Sequence, residues 1–261
     1  MAYATTPPPV GATNYRLATR LARRLRQASR PVSKAELARE ILASPQLPQI
    51  RVASRMLDEL LDGRFYQAGE EIGLWEWRYS FPPKGEAVVV LDLETTGLSS
   101  GENEIIEIAL VRLEGSERIS FSKLVDPGIA LPPFITRLTG ITPGDLVGAP
   151  SVYEVLEEAW PLLAGATLVI QNAPFDLGFL RPRLQRIGYK LDNEVVDTVL
   201  WAKRALPGLS RRGLDSLAWA FDLGQVAGRH RALGDVEATL RIAHEMYFML
   251  TAGKARSLGQ V

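Results

Sequence analysis

Two carboxylates two residues apart, Asp92 and Glu94 in Leu91-Asp92-Leu93-Glu94-Thr95-Thr96-Gly97, follow directly on the apolar run Val88-Val89-Val90. A short apolar run closed by a glycine predicts a buried strand. Side chains at i and i+2 of a strand project from one face, so both acids converge where the strand ends. Desolvating paired acids costs several kcal/mol unless cations compensate. A hard divalent cation is the natural compensator, because it takes oxygen ligands and serves phosphoryl-transfer chemistry. An isolated D-x-E also reads as a strand-end cap of the following turn, so metal chemistry requires partners elsewhere in the chain.

Two further segments offer them. The stretch Ala166 to Gln171 predicts a strand, after which Asn172-Ala173-Pro174-Phe175-Asp176 opens a helix with Phe179, Leu180, Leu184 and Ile187 at helical spacing. Asp176 reads as a ligand or as a cap of that helix, and Phe175 as a core residue. His230-Arg231-Ala232-Leu233-Gly234-Asp235 precedes a long helix with Val236, Leu240, Ala243 and Tyr247 on one stripe. Five helical residues turn about 500°, so His230 and Asp235 do not share a face. His230 belongs to the loop or the helix start. Asp235 reads as a ligand or as a first-turn acid complementing the helix dipole. Glu107, within a strand from Ile105 to Leu113, reads as a structural acid, and Asp197-Thr198 as a helix cap.

Together these segments resemble the DEDDh exonucleases, the family of the DNA polymerase III proofreading subunit. The resemblance runs from Ala87 to about Leu250. It rests on Asp92 through Gly97, on Asn172 through Asp176, and on His230 with Asp235, with Leu138-Thr139-Gly140-Ile141-Thr142 and Val196-Asp197-Thr198 between them. It implies two divalent cations, Mg²⁺ or Mn²⁺. Asp92 bridges both, Glu94 and Asp235 complete the hydroxide-generating site, Asp176 holds the second ion, and His230 is the general base. The implied reaction is 3′→5′ hydrolysis of single-stranded DNA or frayed 3′ ends to nucleoside 5′-monophosphates, in proofreading or repair. The alternatives are an exoribonuclease, or a non-catalytic nucleic-acid or replisome adaptor. Association with a DNA polymerase or another replication or repair protein is a family-level expectation. Substrate contacts are expected from Thr95 and Thr96 amides, Gly97, Leu98 and Leu138 as wedges, Asn172 and Phe175. The family often has histidine where this chain has Gln171, which hydrogen-bonds but does not titrate. The only other histidine, His244, falls in the body of the last helix, which leaves His230 for general-base work.

The implied fold is α/β, a ribonuclease H-like mixed sheet flanked by helices. Strands are expected near 87–93, 104–114, 117–125 and 167–171, and helices near 151–164, 175–187, 194–205, 213–221 and 232–251. With 261 residues and 46% apolar content the chain can bury one large core and a small second one. The expected division is a unit over 1–80 with a disordered lead-in over 1–12, a linker over 81–86, the exonuclease domain over 87–252 and a tail over 253–261. No run of eighteen apolar residues occurs, and the N-terminus lacks a secretory pattern, so a cytoplasmic, nucleoid-associated protein with no membrane partner is expected. The absence of cysteine excludes disulfides, thiolate zinc sites and cysteine nucleophiles.

The zero net charge hides an asymmetry. Residues 1–55 carry ten Lys plus Arg against two acids, whereas residues 81–261 carry eighteen against twenty-two. The N-terminal unit is therefore the electrostatic candidate for gripping phosphates. Leu17, Leu21 and Leu25 predict one helix, the capping box Ser33 to Glu36 opens a second, and a third runs from about Gln49 to Leu61. Strand-like runs from Arg64 to Gln67 and Leu74 to Tyr79 then predict a hairpin. Three helices and a hairpin look like a winged helix, with Gln49, Arg51 and Arg55 as the nucleic-acid-reading candidates. Glu70, Glu71 and Glu76 on the wing leave a protein contact standing as an equal alternative to nucleic-acid binding.

Overall fold

The strand carrying the acid pair is the middle of a five-stranded mixed sheet in the computed structural model, which describes residues 13–41, 55–224, 228, 230–254 and 256–261. In order across the sheet the strands are β6 (Glu117–Leu124), β5 (Ile105–Glu114), β4 (Ala87–Thr95), β7 (Thr167–Ile170) and β8 (Val195–Asp197). The meander β4-β5-β6 is antiparallel as its short turns require, and β7 and β8 return parallel to β4 after helical crossovers.

The period of two along β4 separates two cores. Val88 and Val90 face a layer built from α7 (Thr198–Ala205), α8 (Leu214–Ala220) and α9 (Ala232–Thr251), where they meet Trp201, Leu217, Phe221, Val236 and Ile242. Val89, Leu91 and Leu93 face α5 (Val152–Leu163) and α6 (Ala173–Arg186), with Leu156, Phe179, Leu180 and Leu184. Asp92 and Glu94 continue the parity of Val88 and Val90, which aims them at the α9 layer. Just beyond them the register skips a residue: Glu94 pairs with Glu107, but Thr95 with Ile105. The skipped Ile106 packs instead with Ile135 of α4 (Pro133–Thr139), Ile141 and Leu146.

One expected helix is corrected. Residues 195–197 form an edge strand instead of the first turn of a helix over 194–205, because Val195 and Val196 are β-branched and pair with Leu168 and Val169. The Asp197 carboxylate then accepts from the Val199 amide at 2.8 Å and starts α7.

In the N-terminal unit, α1 (Thr13–Ala28), α2 (Lys34–Ile41) and helical residues 55–60, here α3, bury Leu21, Leu25, Leu37 and Leu57 against a three-stranded sheet. The strands are β1 (Val32–Ser33), β2 (Phe65–Ala68) and β3 (Glu71–Leu74), in the order β1-β3-β2. The Ser33 hydroxyl accepts from the Glu36 amide at 3.1 Å, the expected start of α2. The second hairpin strand is shorter and earlier than the expected Leu74 to Tyr79. The turn at Gly69 (φ 62°) is tight, and Trp75–Trp77 form a 3-10 turn whose Trp75 ring lies where a side chain on Gly253 would be. Gln49, Arg51 and the expected lead-in over 1–12 lie outside the described residues; Arg55 is exposed at the start of α3.

Part of the charge of α1 is met within the fold. Arg16 and Arg23 bind Asp222 at 2.6 and 2.9 Å while staying partly exposed, and Arg26 binds Glu76 at 2.6 Å and Glu245 at 2.7 Å. Arg64, only 2% exposed, joins Asp62 and Glu245 at 2.6 Å each. Phe81, in the expected linker, packs on Tyr247 and His244 with centroids 5.5 and 5.6 Å away. A Cβ on Gly63 would lie 2.0 Å from the Met249 carbonyl oxygen of α9, a backbone atom that cannot yield cheaply. Gly63→Ala is therefore expected to lower stability by roughly 1–3 kcal/mol, read as a shifted urea midpoint. An unchanged midpoint would mean that the seam is not closed in solution.

Candidate active site

The four acids arrive on three elements. Asp92 and Glu94 end β4, and Asp235 sits in the first turn of α9, on the layer that their parity faces. Their carboxylate oxygens lie within 4.8 Å of one another, with Asp235 buried and the other two half-buried. Asp176, in the first turn of α6, accepts from the Leu93 amide at 3.1 Å, beyond the last rung of β7 at Ile170. The shorter β7 thus leaves the Leu93 amide to the carboxylate that follows it, which fastens Asp176 to β4 beside the cluster, whose three gathered acids are Asp92, Glu94 and Asp235.

Electrostatics fit the geometry. Burial pushes the Asp176 carboxyl up to about 8; its own amide and that of Leu93 oppose the shift, while Glu94 and Asp197 add to it. Low accessibility combined with like charges disfavours the ionised form of a carboxyl, and a cation reverses that preference. The donor set is all carboxylate oxygen, which suits Mg²⁺ or Mn²⁺ and not a soft metal.

His230 lies in the turn before α9 with φ 62°, a left-handed conformation unusual for a residue with a side chain. The loop-or-start expectation places it correctly, and His244 lies within α9, in contact with Phe81 and Phe248. Arg231 and the Ala232 amide at the start of α9 both bind Glu107, which is 2% exposed. The structural role expected of Glu107 from its strand does not by itself point to α9 as its partner. The available signal was one acid inside Ile105-Ile106-Glu107-Ile108-Ala109-Leu110-Val111.

The expected substrate contacts divide. Leu98 is 87% exposed and Leu138 47%, beside the end of β4 and on α4 respectively. Asn172 is exposed in a left-handed conformation, its amide donating to Asp197 at 3.2 Å. Thr95 and Thr96 are buried, and the Thr96 amide donates to the Glu104 carbonyl at 2.8 Å, so it is not offered to a phosphate. A Cβ on Gly97 would lie 2.4 Å from the Asn103 side-chain oxygen, so this glycine closes the loop on itself. Phe175 is half-buried against Phe179, with ring centroids 5.2 Å apart. Gln171 donates to the Arg212 carbonyl at 2.9 Å and accepts from the Thr198 hydroxyl at 2.5 Å, which makes it a brace between α7 and the loop before α8.

Residues 89–243 match the profile of the RNase T family, described as exonuclease. Among curated relatives, the chain is 40% identical over 155 residues to a PolC-type DNA polymerase III of Clostridium perfringens, covering 59% of this chain and 11% of that protein. It is 40% identical over 175 residues to a DNA polymerase III subunit epsilon-like protein of Rhodobacter capsulatus, covering 65% of this chain and 24% of that protein. The chain thus spans a quarter or less of the length of these two relatives. A solved structure of Exonuclease X with 5′-overhanging duplex DNA is similar at 25% identity and a TM-score of 0.51, covering 66% of this chain and 98% of that one.

Proposed function

We propose, from the premise that this chain belongs to the RNase T (DnaQ-like) exonuclease family, that it is a metal-dependent 3′→5′ exonuclease releasing nucleoside 5′-monophosphates from DNA ends. The observation that carries the reading is the convergence of Asp92, Glu94 and Asp235 from two remote elements. Carboxylates held this close repel one another unless a cation is their intended partner. DNA is the preferred substrate because Exonuclease X was solved with a DNA overhang and the relatives are DNA polymerase components.

Asp92, Glu94, Asp176 and Asp235 would hold the divalent cations, which when bound supply Lewis-acid activation of water and stabilisation of the leaving oxygen. His230, on the turn before α9, would take the proton of the attacking water. Leu98 and Leu138 present apolar surface on which a terminal base can rest. In the N-terminal unit, the order α1-β1-α2-α3-β2-β3 with β1 pairing on β3 supports a winged-helix reading, and the strand order of the larger sheet supports a ribonuclease H-like one.

The test is a 5′-labelled strand incubated with Mg²⁺ or Mn²⁺, run in parallel on DNA, RNA and a mismatched primer-template. A descending ladder on DNA is expected, and no product on any arm overturns the proposal. Faster RNA degradation transfers it to an exoribonuclease. His230→Ala is expected to lower turnover about 10²–10⁴-fold with Mn²⁺ binding retained, and unaltered turnover removes it as the base.

A further inference from the structure

We propose that Glu107, which no metal-ligand role requires, is a positioning residue that fixes the start of α9 and thereby the His230 turn and Asp235. This rests on the reading of those two residues given above. A long helix opens with amides that need acceptors. The N-cap of α9 is Arg231, whose side chain makes no cap hydrogen bond. The acceptor comes from another element: the Ala232 amide donates to Glu107 Oε2 of β5 at 3.0 Å. Arg231 Nε and Nη2 then take one oxygen each of the same carboxylate, both at 3.0 Å, a forked charge-assisted contact. One buried acid thus grips the helix start by its backbone and by its guanidinium.

The grip falls where the chain is strained. His230, immediately before Arg231, has its φ at 62°, and the turn is closed by the Arg231 amide on the Gly228 carbonyl at 2.9 Å. A non-glycine residue in that region persists only where neighbours over-determine it. Packing alone does not account for Glu107, since an apolar side chain at 2% exposure avoids the desolvation cost of a carboxylate. Its cross-strand partner is Glu94, so the clamp stands one strand away from the acid cluster. Arg231 also lies in the field of Glu94 and Asp145, and therefore offsets a repulsion that Glu107 would otherwise worsen.

Glu107→Ala and Glu107→Gln separate positioning from folding, because glutamine keeps an acceptor for the Ala232 amide while losing the charge that holds Arg231. For Glu107→Ala a kcat lowered by about 10–100-fold with KM within about twofold is expected, with a smaller loss in Glu107→Gln. In the metal-free proteins, amide hydrogen exchange over residues 230–235 should accelerate by about tenfold or more, while that of β4 and β5 stays unchanged. Turnover that is unaffected, or a loss of turnover without faster exchange at 230–235, overturns the proposal. The exchange measurement needs neither metal nor substrate. It therefore tells a failed clamp from a failed nuclease reading, which unaltered ladders from Asp92→Ala would show.

Discussion

Alanine at Asp92 is expected to abolish the exonuclease ladder, a loss of about a thousandfold or more in turnover. The size follows from what the side chain does. Asp92 shares a face of β4 with Glu94 and meets Asp235 within 4.8 Å, so in the proposed reading its loss would remove one of the three acids that gather there to hold a cation. Lewis-acid stabilisation is worth several kcal/mol, and each 1.4 kcal/mol is about tenfold in rate. A second consequence has the opposite sign. Asp92→Asn removes one of several like charges packed together, so the metal-free variant should melt at a higher temperature than the parent. Residues arranged for function against local stability behave this way. Mn²⁺ should raise the melting temperature of the parent, by the linkage that stabilises any state binding a ligand, and should fail to raise that of the variant. Full ladder activity in Asp92→Ala would falsify the ligand assignment. A metal-free variant that melts lower than the parent would show that the acids are held by contacts other than a missing cation.

The chemistry was legible in the sequence to the extent that it lay in local pattern. The apolar run before Asp92 marks a strand, and the period of two then decides which helical layer the acids face; neither step needs tertiary information. The start of α9 at Ala232 followed from its apolar stripe, and the place of His230 followed from the angle between it and Asp235. What escaped was long-range. Glu107 and Arg231 are 124 residues apart, and nothing in either neighbourhood predicts that one caps the helix of the other. The edge strand Val195–Asp197 is too short for a period to show, and it exists because β7 offers it a partner. The basic N-terminal helix is ambiguous for a related reason: a cluster of arginines looks the same in sequence whether it only faces solvent or, as here for Arg16, Arg23 and Arg26, also meets Asp222, Glu76 and Glu245.

Those pairings make the seam between the two units sensitive to pH and to mutation. Glu245 is 6% exposed and Arg64 2%. Burial alone would raise the Glu245 carboxyl, but Arg64 and Arg26 outweigh it and hold it down at about 2, against an ordinary 4.5. A carboxyl depressed in the folded state contributes stability that is fully present above its unfolded value and is lost as the pH falls through the folded one. Here that window runs from about 4.5 down to about 2, and the difference corresponds to about 3 kcal/mol. Breaking the pair by mutation should be at least as damaging, because Glu245→Ala leaves the Arg64 guanidinium buried with Asp62 and Thr19 as its remaining side-chain hydrogen-bond partners among the described residues. Losing one partner of a buried ion pair typically costs 3–5 kcal/mol. Glu245→Ala is therefore expected to lower the urea midpoint by an amount matching that range at neutral pH and to flatten the acid limb of the stability curve between pH 4.5 and 2. Replacing both partners, as in Arg64→Met with Glu245→Leu, should restore much of the loss, since apolar side chains of similar volume need no compensating charge. A single mutant as stable as the parent, or an acid limb that keeps its slope, would mean that solvent reaches the pair and that α1 and α9 are not docked as described.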